Sequence, residues 1–347
     1  MPVKKVRVLI VDDSPTVRDI FRAIFESDPD VEVIGEAANG QEAIDFVVKD
    51  RPSIITMDVF MPKMNGPDAI QHIMGNAATP ILVVTTAKDA TLAFQCLSKG
   101  ALEVIEKPDF AYIQDENKRK GLITKLKSLS TVPVVTHMAG KTKTVREPVK
   151  ADFSNKRIVA ICSSTGGPKA LSILLGQMPA DFPYPIVITQ HMFEGFIDGL
   201  VEWLQTTTTL KVKVAEHGEV LLKGVVYVAP TGKHLEVSIA ETVKLTNEGL
   251  VEGHRPSGEK LFASVASVYG RKAIGVILTG MGGDGSTSLG LIKNAGGLTI
   301  AQDEKTCVVF GMPREAIAKG NANMVLPLTD IAPAIIKHLS HTIVAKV

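Results

Sequence analysis

The sequence is poor in cysteine and carries almost no excess of charge. Only three cysteines occur in 347 residues, and lysine plus arginine exceed aspartate plus glutamate by 38 to 37. Cys96, Cys162 and Cys307 lie far apart without metal-type spacing, which predicts reduced thiols in a cytoplasmic protein. No stripe of basic residues is present, so we expect no nucleic-acid partner.

Long hydrophobic runs are also missing. No apolar stretch reaches the length needed to span a bilayer, so direct membrane insertion is not expected. The N-terminal residues lead directly into a strand-like run rather than into a signal peptide. The composition, 45% hydrophobic and 22% charged, is that of a globular chain long enough for two domains. These features predict a soluble, cytoplasmic, two-domain protein.

The first part of the chain alternates strand-like and helical patterns. With short loops between them, these patterns predict a doubly wound, five-stranded parallel sheet of the flavodoxin-like kind over residues 1–130. Strands are predicted at 6–11, 31–36, 54–57, 81–85 and 103–105. Helices are predicted at 17–27, 40–50, 66–75, 90–99 and about 113–129.

The alternation stops at residues 131–155, where Pro133, Gly140 and Pro148 interrupt it, which predicts an interdomain linker. A second α/β domain is predicted over 156–347. Its sheet is expected to be mostly parallel, with an antiparallel edge where strands follow one another between residues 225 and 246. Its strands are predicted at 158–163, 185–190, 211–215, 225–229, 235–239, 273–279, 298–301 and 324–326, and its helices at 168–178, 196–206, 260–269, 286–295 and 313–319.

Carboxylates follow the first and third strands of the first domain. Asp12 and Asp13 come directly after the first strand, and Asp58 after the third. Ligands bind outside the carboxyl ends of strands in open parallel sheets, so these side chains are expected to converge. Clustered carboxylates repel one another unless a hard cation neutralises them, and Mg²⁺ fits because it takes oxygen ligands and bridges to phosphate. Thr85 and Lys107 end the next two strands, where they can contact a phosphoryl group.

Each of these residues alone has a simpler interpretation. Asp13 or Ser14 could cap the helix that Pro15 begins, and a loop aspartate is usually just solvated. A lone Lys-Pro dipeptide, here Lys107-Pro108, is usually a turn. Five suitable residues at strand ends nevertheless favour a site over five coincidences.

Residues 5–125 resemble the receiver domain of response regulators. The resemblance rests on Val11 to Ser14, Met57 to Gly66, Thr85 and Lys107-Pro108. It implies that Asp58 accepts a phosphoryl group from a histidine kinase and that Asp12, Asp13 and Asp58 hold magnesium. It also implies that Thr85 and Lys107 are switch residues that respond to the phosphate. Phe60 and Asn65 stand where acidic residues are common, and the metal is expected to use the backbone carbonyl of Phe60.

A serine, a histidine and an aspartate follow three strands of the second domain. Ser164 lies at a strand-to-helix turn, beside free amide groups that suit an oxyanion. His191 is the nearest candidate base, and Asp284 could orient its imidazole. Spacing alone does not decide whether these three residues form a catalytic triad. Turns of the Ser-Thr-Gly-Gly kind are common without any catalytic role, His191 could be a core residue, and Asp284 could cap a helix. Other histidines compete for the role of base, including His217, His234 and His254.

The glycine-rich segment from Gly280 to Gly285 supports a different function. It satisfies the G-x-G-x-x-G pattern between a strand and a helix, and Asp303 lies about twenty residues further on, as in dinucleotide-binding domains. The alternative function is therefore a phospho-regulated nucleotide-binding module. Against it, the motif lies late in its domain and leaves Ser164 and His191 unexplained.

Residues from about 157 to 340 resemble the chemotaxis protein-glutamate methylesterase domain, and the order receiver, linker, esterase matches the CheB family. The resemblance rests on Ser164 to Pro168, Ile188 to Met192, His254 to Ser257, Gly275 to Gly285 and Cys307 to Ile317. It implies a phosphorylation-activated hydrolase that demethylates glutamate methyl esters and deamidates glutamines. The implied substrates are the cytoplasmic helices of methyl-accepting chemotaxis receptors, and the implied role is adaptation in chemosensory signalling.

The resemblance also assigns the residues of the second site. It implies Ser164 as nucleophile, His191 as base and Asp284 as the orienting acid, without a cofactor for the ester step. The backbone amides near Thr165 and Met281 are the implied oxyanion donors. The unphosphorylated receiver is expected to cover this site, and phosphate on the receiver to open it.

The chain departs from the family pattern around the triad. Cys162-Ser163 replaces a Gly-Ala pair, the segment after His191 lacks a usual proline, and Gly258-Glu259-Lys260 replaces a more apolar run. The triad residues themselves are retained.

Overall fold

The structure is a computed structural model that describes residues 5–134 and 157–341, and these two ranges belong to separate compact units. The predicted linker at 131–155 lies almost wholly outside the described residues. Within the described ranges, no helix combines the length and apolarity that a membrane span requires.

The first unit has the predicted five-stranded parallel sheet. Its strands are β1 (Val6–Val11), β2 (Val31–Ala37), β3 (Ile54–Asp58), β4 (Ile81–Thr85) and β5 (Glu103–Glu106). They are ordered β2-β1-β3-β4-β5, which is the order of doubly wound flavodoxin-like folds. Its helices are α1 (Pro15–Phe25), α2 (Gly40–Asp50), α3 (Gly66–Asn76), α4 (Ala90–Ser98), α5 (Phe110–Gln114) and α6 (Glu116–Ser130).

Several helices of this unit begin at a residue whose side chain caps the helix. The Asn39 side chain accepts a hydrogen bond from the Glu42 amide at the start of α2, and the Glu42 carboxylate accepts one from the Ala38 amide. The single helix predicted at about 113–129 is in fact α5 and α6. Asp115 separates them because its backbone is extended and its carboxylate caps the amides of Asn117 and Lys118.

The second unit is built on a wholly parallel seven-stranded sheet. Within the described residues, its strands are β6 (Ile158–Ser163), β7 (Ile186–Gln190), β8 (Lys211–Val214), β9 (Val225–Val228), β10 (His234–Val237), β11 (Val243–Thr246), β12 (Ala273–Ile277), β13 (Leu298–Gln302) and β14 (Met324–Leu326). The main sheet has the order β14-β13-β12-β6-β7-β9-β8. Its helices are α7 (Gly167–Gly176), α8 (Ile197–Gln205), α9 (Gly258–Tyr269), α10 (Leu289–Asn294), α11 (Met312–Ala318) and α12 (Leu328–His341).

The predicted antiparallel element is present, but it is not an edge of the main sheet. Strands β10 and β11 pair antiparallel in a separate two-stranded sheet. A short turn that includes Glu241 at a φ of 59° joins the two strands, which therefore form a hairpin.

Helix α12 was not predicted from the sequence. Its interior contains Pro333, a residue that usually ends helices, so the pattern is hard to recognise. The helix nevertheless forms because Ile331, Ala332 and Ile335 bury their side chains completely.

Candidate phosphoacceptor and active sites

The parallel pairing of β1 with β3 brings the first acidic cluster together. Val11 pairs with Met57, so Asp12 and Asp58 lie next to each other at the carboxyl ends of neighbouring strands. Both side chains are buried, whereas Asp13 is exposed. Carboxylate oxygens of all three residues lie within 4.8 Å of one another. Three converging oxygen donors, one of them open to solvent, fit the ligand preference of Mg²⁺.

Lys107 forms ion pairs with both buried carboxylates. Its Nζ atom lies 2.8 Å from Asp58 Oδ2 and 2.9 Å from Asp12 Oδ2. The buried Thr85 accepts a hydrogen bond from the Lys107 amide through its carbonyl oxygen, at 2.8 Å. The structure therefore places both expected switch residues at this strand edge.

The pKa of the Asp58 carboxyl group is raised to about 6. Burial is the main cause, the hydrogen bond from Lys107 opposes it, and the neighbouring charge of Asp12 adds to the increase. The Lys107 pKa is also raised, because hydrogen bonds to Asp58 and Asp12 outweigh the lowering caused by burial. An anionic Asp58 thus carries a free-energy cost that a cation at the cluster would relieve.

The two departures near this site have different structural roles. The Asn65 side chain caps α3 by accepting a hydrogen bond from the Asp68 amide. The Phe60 side chain is about half exposed. Neither residue adds a charge to the acidic cluster.

Three neighbouring strands of the second unit place the second set of residues. Strand β6 lies between β12 and β7, and the residue after β6 is Ser164. The Ser164 amide donates to the Thr279 carbonyl at 3.0 Å, and the His191 amide donates to the Ser163 carbonyl at 3.0 Å. The serine and the histidine therefore lie side by side at the carboxyl edge of the sheet.

Gln190, a residue that no sequence motif predicted to be functional, secures the turn that carries the serine. Its Nε2 group donates to the carbonyls of Ser164 and His191, at 3.0 and 2.8 Å. Its Oε1 atom accepts a hydrogen bond from the Ser163 hydroxyl at 2.6 Å. A β-carbon at Gly167 would collide with Oε1 of Gln190, so the close approach requires glycine at this position.

His191 and Asp284 form a direct hydrogen bond. His191 Nε2 lies 2.7 Å from Asp284 Oδ2, and the aspartate is buried. His191 Nδ1 is also buried and has no hydrogen-bond partner within the described residues. The Ser164 hydroxyl likewise forms no hydrogen bond there, and such catalytic contacts often tighten only when substrate binds. The nitrogen available to act as a base is therefore Nδ1.

Asp284 is held at the start of helix α9. The Ser257 hydroxyl donates to Oδ1 at 2.6 Å, the Gly258 amide to Oδ2 at 2.5 Å and the Glu259 amide to Oδ1 at 3.3 Å. Burial alone raises the Asp284 pKa, but the hydrogen bonds from His191, Ser257 and Gly258 outweigh it and lower the pKa below its ordinary value. Asp284 is therefore a stable anion. A serine before a helix is a capping signal, but the sequence does not indicate that this serine and the first amides of α9 hold Asp284.

Two of the departures from the family pattern are neighbours in space. A β-carbon at Gly258 would collide with the Cys162 thiol, so the glycine makes room for the cysteine. The thiol lies 4.0 Å from Asp284 Oδ2. Burial and the charge of Asp284 raise the Cys162 pKa well above its ordinary value, so this sulfur stays protonated and is a poor nucleophile.

The competing histidines are placed differently from His191. His217 accepts a hydrogen bond from the Leu245 amide, and His234 is buried with its Nε2 atom 2.9 Å from the Gly249 carbonyl. His254 does lie at the site, stacked on the His191 ring with 3.9 Å between ring centroids. Of the histidines that the structure describes, His191 alone is hydrogen-bonded to Asp284.

The structure does not meet the requirements of the nucleotide-binding alternative. The helix after the glycine-rich segment, α10, has six residues and begins only at Leu289. The Asp303 carboxylate caps a short turn by accepting a hydrogen bond from the Thr306 amide. A dinucleotide site needs a helix that starts at the glycine loop and a carboxylate free to bind a ribose.

Two family models match separate parts of the chain. The family model described as CheB methylesterase matches residues 159–335, and the one described as response regulator receiver domain matches residues 8–115. A protein-glutamate methylesterase/protein-glutamine glutaminase from Nitrosospira multiformis is 42% identical over 340 residues, covering 95% of this chain and 96% of that protein. A relative with that name from Syntrophus aciditrophicus is 41% identical over 342 residues, covering 96% and 98%. The crystal structure of the Thermotoga maritima CheB methylesterase catalytic domain is 41% identical, with a TM-score of 0.51, and matches 53% of this chain and 98% of that one.

Proposed function

Because the chain belongs to the CheB methylesterase family, we propose that it hydrolyses glutamate methyl esters, and deamidates glutamines, on the cytoplasmic helices of chemotaxis receptors under the control of a receiver domain. The observation that carries the proposal is the His191–Asp284 hydrogen bond beside Ser164. The domain limits of 1–130 and 156–347, joined by a linker at 131–155, are part of the proposal, as is a cytoplasmic location.

The chemistry follows from the side chains at the sheet edge. Nδ1 of His191 takes the proton of the Ser164 hydroxyl as the oxygen attacks the ester carbonyl. His191 Nε2 keeps its own proton, which it donates in the hydrogen bond to Asp284. The negative charge of Asp284 stabilises the imidazolium that forms. The imidazolium then gives the proton to the leaving methanol. Water hydrolyses the acyl-enzyme by the same route, and ammonia replaces methanol as leaving group when glutamine is the substrate.

Two backbone amides support the tetrahedral oxyanion in this proposal. Within the described residues, neither the Thr165 nor the Met281 amide donates a hydrogen bond, so both remain available. Free donors beside a nucleophile suit the negative oxygen that forms on attack. Their hydrogen bonds would form in the transition state, where they lower the barrier.

The receiver half of the proposal concerns Asp58. Its carboxylate takes a phosphoryl group from a histidine kinase, and the Lys107 ammonium group, now 2.8 Å away, pairs with the transferred phosphate. Mg²⁺, held by Asp12, Asp13 and Asp58, would neutralise the phosphoryl oxygens during transfer. The Thr85 hydroxyl binds a phosphoryl oxygen and biases the surrounding strand edge toward the active state.

Methanol release from a methylated receptor fragment tests the esterase assignment. Ser164→Ala should lower the rate roughly a thousandfold or more, because no nucleophile remains. Cys162→Ala is the matched control, and it should keep most of the activity since the buried thiol is protonated. Methanol release that survives in Ser164→Ala but is lost in Cys162→Ala would contradict the assignment. A wild type that binds the fragment without releasing methanol would instead indicate a catalytically inactive scaffold.

A further inference from the structure

His254 takes part in no step of the proposed reaction, yet it covers one face of the His191 imidazole. The ring centroids are 3.9 Å apart and the planes are inclined by only 6°. Aromatic pairs prefer an offset or edge-to-face arrangement at 4.5–7 Å, so a parallel overlap this close requires support from the surroundings.

The backbone around His254 supplies that support. His254 and Val251 exchange two backbone hydrogen bonds, at 2.9 and 3.1 Å. The guanidinium group of Arg255 donates to the carbonyls of Glu248 and Asn247, at 2.9 and 3.2 Å. Three residues after His254, the Ser257 hydroxyl is bonded to Asp284. One short segment therefore fixes the ring that contacts the base and also the donor that holds its acid.

The His254 ring is neutral at ordinary pH. Burial, with a smaller contribution from the charge of a protonated His191, lowers its pKa to about 4, while the charge of Asp284 acts in the opposite direction. A neutral ring does not repel the imidazolium that forms on His191 during catalysis. An aromatic face instead attracts a cation that lies above it.

We infer that His254 is a positioning residue whose ring fixes the plane of His191, so that Nε2 stays hydrogen-bonded to Asp284 while Nδ1 stays available to the Ser164 hydroxyl. The inference rests on the proposed function, in which His191 is the base. A base displaced by about 1 Å can lose roughly a hundredfold in rate.

Three variants of the full-length protein separate the flat ring from its nitrogen atoms. His254→Phe retains a flat aromatic face, His254→Leu retains apolar bulk without that face, and His254→Ala removes both. We expect kcat for methanol release to stay within about threefold in His254→Phe and to fall roughly tenfold to a hundredfold in the other two, with KM unchanged.

A second readout needs no turnover. The proton that His191 shares with Asp284 should give a low-field NMR resonance in the wild type and in His254→Phe. In His254→Leu and His254→Ala this resonance should broaden, because the imidazole is no longer held in one plane.

Several outcomes would overturn the inference. They are full activity and a sharp resonance in His254→Leu, a His254→Phe variant as impaired as His254→Ala, or a loss confined to KM, which would indicate substrate binding. A wild type that releases no methanol would refute the proposed function itself, and the inference would fall with it.

Discussion

Asp58 and Asp284 are two buried aspartates at the carboxyl edges of two parallel sheets, and their surroundings shift their pKa values in opposite directions. The Asp58 pKa is raised to about 6, mainly by burial, and the charge of Asp12 adds to the increase. The Asp284 pKa is lowered, because the hydrogen bonds from His191, Ser257 and Gly258 outweigh the effect of burial. Burial is common to both residues, so the difference lies in the groups that face them.

The difference matches the chemistry proposed for each residue. Asp284 should remain an anion throughout the reaction, because His191, the Ser257 hydroxyl and the Gly258 amide all form hydrogen bonds to its carboxylate. Asp58 shares one lysine with a second carboxylate, so its negative charge is incompletely compensated. A carboxylate in that state is stabilised by an added cation. Substitutions that change the charge or the hydrogen-bond donors at either aspartate test this comparison.

The largest effect is expected when Asp284 loses its charge. Asp284→Asn should lower kcat about 10³- to 10⁴-fold, since an amide neither holds the correct imidazole tautomer nor stabilises the imidazolium. The assay is methanol release from a methylated receptor fragment. The matched control is Asp58→Asn, which should keep basal hydrolysis within about twofold. More than a tenth of wild-type activity in Asp284→Asn would show that this aspartate does not orient the base.

A smaller effect is expected when Asp284 loses one donor. Ser257→Ala removes the 2.6 Å hydrogen bond to Oδ1 and the cap of α9. The rate should fall about tenfold, and the free energy of unfolding of the second domain should fall by about 1–2 kcal/mol.

The control is Asn65→Ala, which removes the cap of α3 in the receiver. Its stability loss should be similar, about 1 kcal/mol, while basal methanol release stays unchanged. Equal rates in Ser257→Ala and the wild type would show that Asp284 does not depend on this donor.

The smallest effect concerns stability. The raised pKa means that folded Asp58 binds more protons than unfolded Asp58 between about pH 4 and pH 6, so wild-type stability falls as pH rises through this interval. Asp58→Asn removes this pH-dependent loss of stability, because an amide does not titrate. In metal-free buffer at pH 7, the receiver transition in urea should therefore show a gain of about 1–3 kcal/mol, and the gain should vanish below about pH 4.

Added Mg²⁺ should reduce the difference in the free energy of unfolding between Asp58→Asn and the wild type, because it binds the folded wild type better than the folded variant. A variant that is less stable than the wild type at pH 7 without metal would contradict the raised pKa of Asp58.

Residues at strand ends were accessible from the sequence. Parallel strands align their carboxyl ends, so the predicted strands and their alternation with helices were enough to place Asp12, Asp58 and Lys107 at one sheet edge. The same reasoning placed Ser164 and His191 at another sheet edge. Helix boundaries set by local capping were less predictable. Asp115 divides a helix whose apolar pattern continues across it.

The environment of the catalytic pair could not be read from the sequence. Ser257 lies 27 residues before Asp284 and reaches it because the start of α9 contacts the segment that follows β12. His254 was one of several competing histidines, and no local pattern indicates a stacked ring. Both contacts depend on tertiary packing, and so does α12, where burial of Ile331 and Ile335 overrides the helix-breaking tendency of Pro333.

The most direct test of the account is the rate of methanol release from methylated receptor, measured with and without a small-molecule phosphodonor and Mg²⁺, for the wild type and Asp58→Asn. The account predicts equal basal rates and acceleration by the phosphodonor in the wild type alone. Equal acceleration of both proteins, or none in the wild type, would contradict control of the esterase by phosphorylation of Asp58.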